Sequence, residues 1–321
     1  MHVLLRCSIV LALVGAGSGA NAQTGTEAPG GLIFKSGVDL VTVNAVVKDD
    51  KGRVVANLTR RDFELLDGGQ SRPITSFRSE LAPVSVALLF DSSGSMDVAS
   101  KMDGARAAAR HLLAWLDAGR DELAVFSFDS RLHQVQAFRT YQDDELLAQS
   151  LTSIAPFGMT SLHDAIAATA RVTATRPNTH RAVIVLTDGV DNNSRLSAPE
   201  VSGIASAIDV PVYILAVVSP LDHQGAATAV NSERPVPIGD LADLARWTGG
   251  DFFVSSAPAQ TSMAVRQIVD ELRHQYLIAF EPATRPGWHA LEVRTRSRHM
   301  VVRARTGYMA GQGQRESGQQ H

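Results

Sequence analysis

Cysteine is almost absent. The single one, Cys7, lies among the first ten of 321 residues, so the body of the chain has neither a disulfide framework nor thiol chemistry to offer. A charge excess of either sign is also lacking. Thirty Lys and Arg face 33 Asp and Glu, for a formal net charge of -3, which provides no basic surface for nucleic acid. There is no Walker G-x-x-x-x-G-K-[ST] loop, no H-E-x-x-H pair and no G-x-S-x-G elbow. P-loop nucleotide hydrolysis, zincin chemistry and the α/β-hydrolase serine therefore have no motif here. The apolar run near the start, Ile9 to Val14, is too short to cross a bilayer.

What that run does fit is an export signal. Arg6 supplies the positive charge, Ile9 to Val14 the apolar centre, and Ala20-Asn21-Ala22 an A-x-A cleavage site ahead of Gln23. Residues 1–22 are thus read as a signal peptide, and the mature protein as periplasmic or extracellular with no membrane span. No lipobox cysteine follows. The exported form is expected to begin at Gln23. Intact-mass measurement of secreted material checks this, and a mature chain retaining Met1 would refute it.

Hydrophobic residues make up 45% of the chain and charged ones 20%, as in an ordinary folded domain. Residues 23–33 are polar and glycine-rich, a flexible lead-in. From 34 to 80 the pattern is β-rich: Val41, Val43, Ala45 and Val47 alternate, and turn signals Asp49-Asp50-Lys51-Gly52 and Asp67-Gly68-Gly69 follow. Thr59 and Asp62 have the spacing of a capping box.

At Val84 the rhythm changes to strand, helix, strand. Val84 to Leu89, Leu123 to Phe128, Ala182 to Leu186, Val212 to Val218 and Phe252 to Val254 read as strands, with Leu132 to Phe138 a weaker one at the sheet edge. Helical patterns separate them. The last, with Val265, Ile268, Val269, Leu272 and Tyr276 on one face, closes the alternation. A continuous apolar run such as Ala182–Leu186 suits a parallel strand buried on both faces. The expected fold is α/β, a doubly wound Rossmann-like parallel sheet over residues 84–274. Residues 276–308 are β-rich again, and 309–321 read as a disordered tail. Each flanking segment is too short for a comfortable core of its own. The simplest arrangement pairs them in one small all-β sandwich, with the α/β domain inserted between.

The chain is organised around Phe90-Asp91-Ser92-Ser93-Gly94-Ser95-Met96, on the loop leaving the first α/β strand. A carboxylate and two hydroxyls at alternate positions are hard oxygen donors, suited to Mg²⁺, Mn²⁺ or Ca²⁺ rather than zinc. By itself the stretch equally fits a Ser/Gly-rich turn capped by Asp91. Two more loops carry oxygen ligands: Gly158-Met159-Thr160 before a helix, and Thr187-Asp188-Gly189 after the fourth strand. In sheet order 3-2-1-4-5-6, strands 1 and 4 flank the switch point where ligands gather. Asp91 and Asp188 converge there.

The set of D-x-S-x-S, Gly-x-Thr and T-D-G resembles the metal-ion-dependent adhesion site (MIDAS) of von Willebrand factor type A domains, over about Val84 to His274. The resemblance implies that Ser93, Ser95 and Thr160 bind Mg²⁺ (or Mn²⁺ or Ca²⁺) directly. Asp91 and Asp188 then act through bound waters. It also implies an open cation position filled by an exposed Asp or Glu of a partner protein. The flanking stretches VDLVTVNAVVKDDKGRVVANLTRRDFELLDGG and VVRARTGYMA resemble secreted bacterial proteins related to this family.

The leading reading is therefore a secreted, non-catalytic protein-binding module of adhesion type. A metal-dependent hydrolase on the same cation and a scaffold with a purely structural metal are the alternatives. A Ser93, His163, Asp188 triad would use some of the same residues, but the serines suit metal ligation better. Among the neighbours, Asp164 is expected to meet its helix dipole and His163 to face solvent. Asp97 is a capping or surface acid, Asp191 and Asn192 belong to the rim or the turn, and Asp129 ends the second strand.

Overall fold

The computed structural model describes residues 40–79, 81–142, 145–218 and 238–311. The expected export signal, the lead-in and the tail beyond residue 311 lie outside the described residues. In chain order the strands and helices are β1 Val41–Asp49, β2 Phe63–Asp67, β3 Gln70–Arg72, β4 Ile74–Arg78, β5 Val84–Asp91, α1 Lys101–Trp115, β6 Glu122–Phe128, β7 Leu132–Thr140, α2 Glu145–Ser153, α3 Leu162–Ala174, β8 His180–Thr187, α4 Ala198–Ala207, β9 Val212–Val217, α5 Ile238–Trp247, β10 Phe252–Ser255, α6 Pro258–Arg273, β11 Tyr276–Phe280, β12 Gly287–Thr295, β13 Met300–Ala304 and β14 Gly307–Ala310.

The central sheet has the order β10-β9-β8-β5-β6-β7, the expected doubly wound order. Every residue of β5 is buried, because both faces of the sheet are covered. Val84, Val86, Leu88 and Phe90 pack with Met102, Ala105, Ala109 and Leu112 of α1 and with Val265, Ile268 and Leu272 of α6. Ala87 and Leu89 point the other way, into a core with Ile166 of α3, Val201 of α4 and Leu244 of α5. This two-sided burial is why β5 and β8 are apolar without alternation. The sheet is mixed rather than parallel throughout, since β7 runs antiparallel to β6. Only three residues separate these strands, and a parallel return needs a crossover of a dozen or more.

The flanking segments share two antiparallel sheets, of order β13-β1-β11-β4 and β14-β12-β2-β3. Each sheet takes strands from both ends of the chain. β1 lies between β11 and β13, with Val43 opposite Ile278 and Val47 opposite Val302. β2 pairs with β12, with Leu65 opposite Val293. Both sheets bury their apolar residues in one core of Val43, Ala45, Phe63, Leu65, Ile278, Phe280, Leu291 and Val293, among others. The α/β domain leaves this β domain after β4 and returns at β11, and those strands are hydrogen-bonded neighbours. β14 is a strand beyond those expected from the sequence, and its Met309 and Ala310 fall where the disordered tail was expected to begin. Tyr276, which the sequence places both at the end of the last helical face and at the start of the β-rich segment, begins β11, and the helix ends at Arg273.

Tyr276 is a linchpin of the β core. Its ring lies 5.0 Å from Phe63 and 5.7 Å from Phe77. Its hydroxyl donates to the Val55 carbonyl at 2.6 Å and accepts from the Leu58 amide at 3.1 Å, which fixes the link between β1 and β2. Tyr276→Phe keeps the ring and strands both backbone groups. The expected cost is about 1–2 kcal/mol, read as a lower urea midpoint at unchanged slope; an unchanged midpoint would count against this role. Among the described residues, no helix is long and apolar enough to cross a membrane.

Candidate metal centre

The register of the sheet brings two carboxylates to one place. Asp91 is the last residue of β5, and its neighbour Phe90 pairs with Leu186 of β8. The chain of β8 then delivers Thr187 and Asp188 to the same edge. Thr187 donates its hydroxyl to Asp91 Oδ2 at 2.5 Å, and the Ser93 amide donates to Asp91 Oδ1 at 2.8 Å. Ser93 and Ser95 hydroxyl oxygens lie 3.1 Å apart. Ser92 points away, since its amide and hydroxyl both donate to the Phe128 carbonyl of β6. Alternate residues of the D-x-S-x-S stretch thus face opposite ways, and Asp91, Ser93 and Ser95 share one side.

The second loop is stitched onto the first. The Phe157 amide donates to the Ser92 carbonyl at 2.8 Å, and the Gly94 amide to the Gly158 carbonyl at 3.0 Å. Gly158 has φ +83, a left-handed conformation natural to glycine. Thr160 follows and is buried. Its amide donates to Asn192 Oδ1 at 2.8 Å, and its carbonyl accepts from the Asn192 and Asn193 amides. Asn192 therefore belongs to the support of the site and not merely to a turn.

Asp188 is buried, and its two oxygens differ. Oδ2 accepts from Lys101 Nζ at 3.0 Å. Oδ1 is buried with no hydrogen-bond partner among the described residues. An unpartnered buried carboxylate oxygen is costly unless something electropositive meets it. Asp91 is also fully buried, and burial pushes its carboxyl up to about 6. The Thr187 and Ser93 hydrogen bonds work against that shift, and the charge of Asp188 reinforces it. Two desolvated carboxylates, the hydroxyls of Ser93 and Ser95 and the buried Thr160 form a donor set that fits a hard divalent cation. Among the described residues there is no group of three or more His, Cys, Asp or Glu placed to hold a metal, so a carboxylate-rich or imidazole cage is not the pattern here.

Lys101 is the participant the sequence reading missed, and Thr187, present there only as part of the T-D-G motif, gains a role as donor to Asp91. Lys101 opens α1, and the two residues before it, Ala99 and Ser100, have φ of 55 and 59. This left-handed pair turns the chain out of the Gly94–Ser100 3-10 stretch and into α1. Non-glycine residues adopt such angles at a cost of about 1–2 kcal/mol each.

The remaining expectations sort as follows. Asp164 accepts from the Arg195 and Leu196 amides, so it pins that loop. His163 is half-buried rather than solvent-facing: its ring Nδ1 lies 3.1 Å from the Leu196 carbonyl. Its amide donates to Asp191 Oδ2 at 2.9 Å. Two members of the imagined triad, His163 and Asp188, thus have other partners. Asp97 is exposed. Asp129 follows β6 and accepts from the Arg131 amide at 2.7 Å, closing the turn into β7.

Comparison with known proteins gives one family match and several solved structures of similar fold. Residues 86–190 match the family model described as von Willebrand factor type A domain. The chain is similar to the solved structure of a von Willebrand factor type A protein from Catenulispora acidiphila, at 13% identity and TM-score 0.48, over 86% of this chain and 75% of that one. It is similar to the conserved hypothetical protein BatB from Bacteroides thetaiotaomicron, at 20% identity and TM-score 0.45, over 58% of this chain and 97% of that one. It is also similar to the PilB minor pilin from Streptococcus sanguinis, at 15% identity and TM-score 0.45. That match covers 64% of each chain, so this chain spans just under two thirds of the pilin's length. No curated protein matches the chain. The matched residues lie within the insert between β4 and β11, whose α/β sheet is von Willebrand factor type A-like.

Proposed function

We propose that this von Willebrand factor type A domain is a non-catalytic, exported binding module of adhesion type. Ser93, Ser95 and Thr160 would hold one Mg²⁺ (or Mn²⁺ or Ca²⁺), with Asp91 and Asp188 beside it. Neutral direct ligands leave the cation electrophilic, and an Asp or Glu of a partner protein completes its coordination. The observation that carries this reading is the buried, unpartnered Oδ1 of Asp188 next to the desolvated Asp91. That one carboxylate oxygen is an acceptor the described residues leave unsatisfied.

Calorimetric titration with Mg²⁺ tests the metal, with Asp91→Ala as the control. Wild type is expected to bind and the variant to lose binding while keeping its fold. Wild-type affinity in the variant, or no Mg²⁺ affinity in wild type, refutes the reading. Turnover of an ester and phosphoester panel with and without Mg²⁺ separates a hydrolase from a binding module.

The pH dependence has a defined sign. Asp91 titrates at about 6 in the fold against about 3.9 in an unfolded chain. Between those values the folded form holds the extra proton. The metal-free protein therefore loses stability as pH rises from about 4 to 6, by up to about 3 kcal/mol. The cation competes with that proton. The Mg²⁺-induced rise in Tm is expected to be large at pH 7.5 and small at pH 5. An equal rise at both would show that Asp91 is not the coupled group.

A further inference from the structure

The loops of the candidate centre carry exposed large apolar side chains. Among the described residues Phe157 is the most exposed large apolar side chain, at 79%. Met159, at 50%, is next to Thr160. Val98, at 60%, lies three residues after Ser95, and Val190, at 39%, two after Asp188. Every one of the three ligand-bearing loops thus displays a large apolar side chain within three residues of a candidate ligand. Phe157 and Met159 are also held in place: the Phe157 amide is bonded to Ser92, Gly158 to Gly94, and Thr160 to Asn192. An aromatic side chain on a pinned loop loses little freedom on binding and has the character of a hot spot.

The charges at the rim narrow the choice. A divalent cation cancels Asp91 and Asp188, and Lys101 then leaves one net positive charge inside the site. Outside it, Asp97 is exposed and Asp129 is half-buried against Gly158. The centre favours one anionic group, and the exposed Asp97 disfavours further acids beside it.

We infer that the partner segment presents a single carboxylate flanked by uncharged, large apolar residues, which pack on Phe157, Met159, Val98 and Val190. This rests on the metal reading above and specifies its ligand. A polyacidic segment would meet Asp97. A small polar flank would leave Phe157 in water and forgo its apolar burial.

The test uses three synthetic pentapeptides with blocked ends, Gly-Leu-Asp-Leu-Gly, Gly-Gly-Asp-Gly-Gly and Gly-Leu-Asn-Leu-Gly. They are titrated by calorimetry and amide NMR into the full chain with Mg²⁺, and Mg²⁺ alone is titrated first. The leucine-flanked aspartate peptide is expected to bind at least tenfold more tightly than the other two. Phe157→Ser with Met159→Ser is expected to abolish that preference while Mg²⁺ affinity stays at the wild-type value. Equal affinity for the leucine- and glycine-flanked aspartate peptides overturns the apolar collar and leaves the metal reading intact. Equal affinity for the asparagine peptide overturns the carboxylate. Mg²⁺ binding without affinity for any peptide up to millimolar concentration also overturns the proposal. Failure of wild type to bind Mg²⁺ overturns the metal reading itself.

Discussion

Glu271→Ala is expected to lower the stability of the folded chain by about 3–5 kcal/mol, the usual result of removing one partner from a buried charge network. Glu271 is fully buried on α6. It receives Lys48 Nζ of β1 at 2.5 Å, Gln267 Nε2 at 2.9 Å, and a short contact from Arg303 of β13. Arg303 also pairs with Asp251 and lies over the Tyr213 ring, 5.6 Å from its centroid. Lys48 and Arg303 belong to the β domain, whereas Glu271, Asp251 and Tyr213 belong to the inserted one. Removing Glu271 leaves two cations largely out of water with only Asp251 to share. Urea denaturation followed at two probes, one in each domain, measures the loss. In wild type both probes should report one transition, and in the variant the total stability falls. A loss below about 1 kcal/mol would place the junction among the ion pairs that contribute little. Replacing Glu271, Asp251, Lys48 and Arg303 together by apolar residues of similar size is expected to cost much less than the single change, because no charge is left stranded.

The architecture was legible where burial alone decides the sequence. β5 and β8 announce themselves as continuous apolar runs, and the amphipathic faces of α1, α3 and α6 carry a helical period. The joining of the two flanking segments followed from a shortage: neither had enough apolar residues to close a core by itself. The exact pairing did not follow, since nothing in Val41–Asp49 states that its neighbours are β11 and β13. The reversed direction of β7 was present in the brevity of Asp129-Ser130-Arg131. β14 escaped notice because it is four residues long and only Gly307 and Tyr308 of it are buried. At the site, the oxygen donors were visible as spaced motifs. Lys101 was not, because its position depends on two left-handed residues, Ala99 and Ser100. Neither is a glycine or an asparagine, so neither signals a reversal of φ.

Lys101→Met is expected to change metal and partner affinity in opposite directions. Lys101 Nζ donates to Asp188 Oδ2 at 3.0 Å, with both side chains largely buried. A cation approaching Asp188 competes with a charge-assisted hydrogen bond worth about 1.5–3 kcal/mol. Without Lys101 the proposed site is expected to take Mg²⁺ about 10–100-fold more tightly, since each 1.4 kcal/mol is tenfold. The loaded site then loses its net positive charge, so affinity for a carboxylate peptide should fall. The same substitution leaves Asp188 with neither oxygen partnered when no metal is present. Its Tm is therefore expected to drop in chelator and to recover in Mg²⁺ by more than that of wild type. Calorimetry supplies the two affinities and thermal melts supply the third quantity. A variant with unchanged Mg²⁺ affinity would show that the Lys101–Asp188 pair stands apart from the cation. A variant that gains Mg²⁺ affinity and keeps full peptide affinity would show that the positive charge of Lys101 does not reach the partner. The opposed pair of changes identifies Lys101 as the residue that trades retention of the metal for attraction of its ligand.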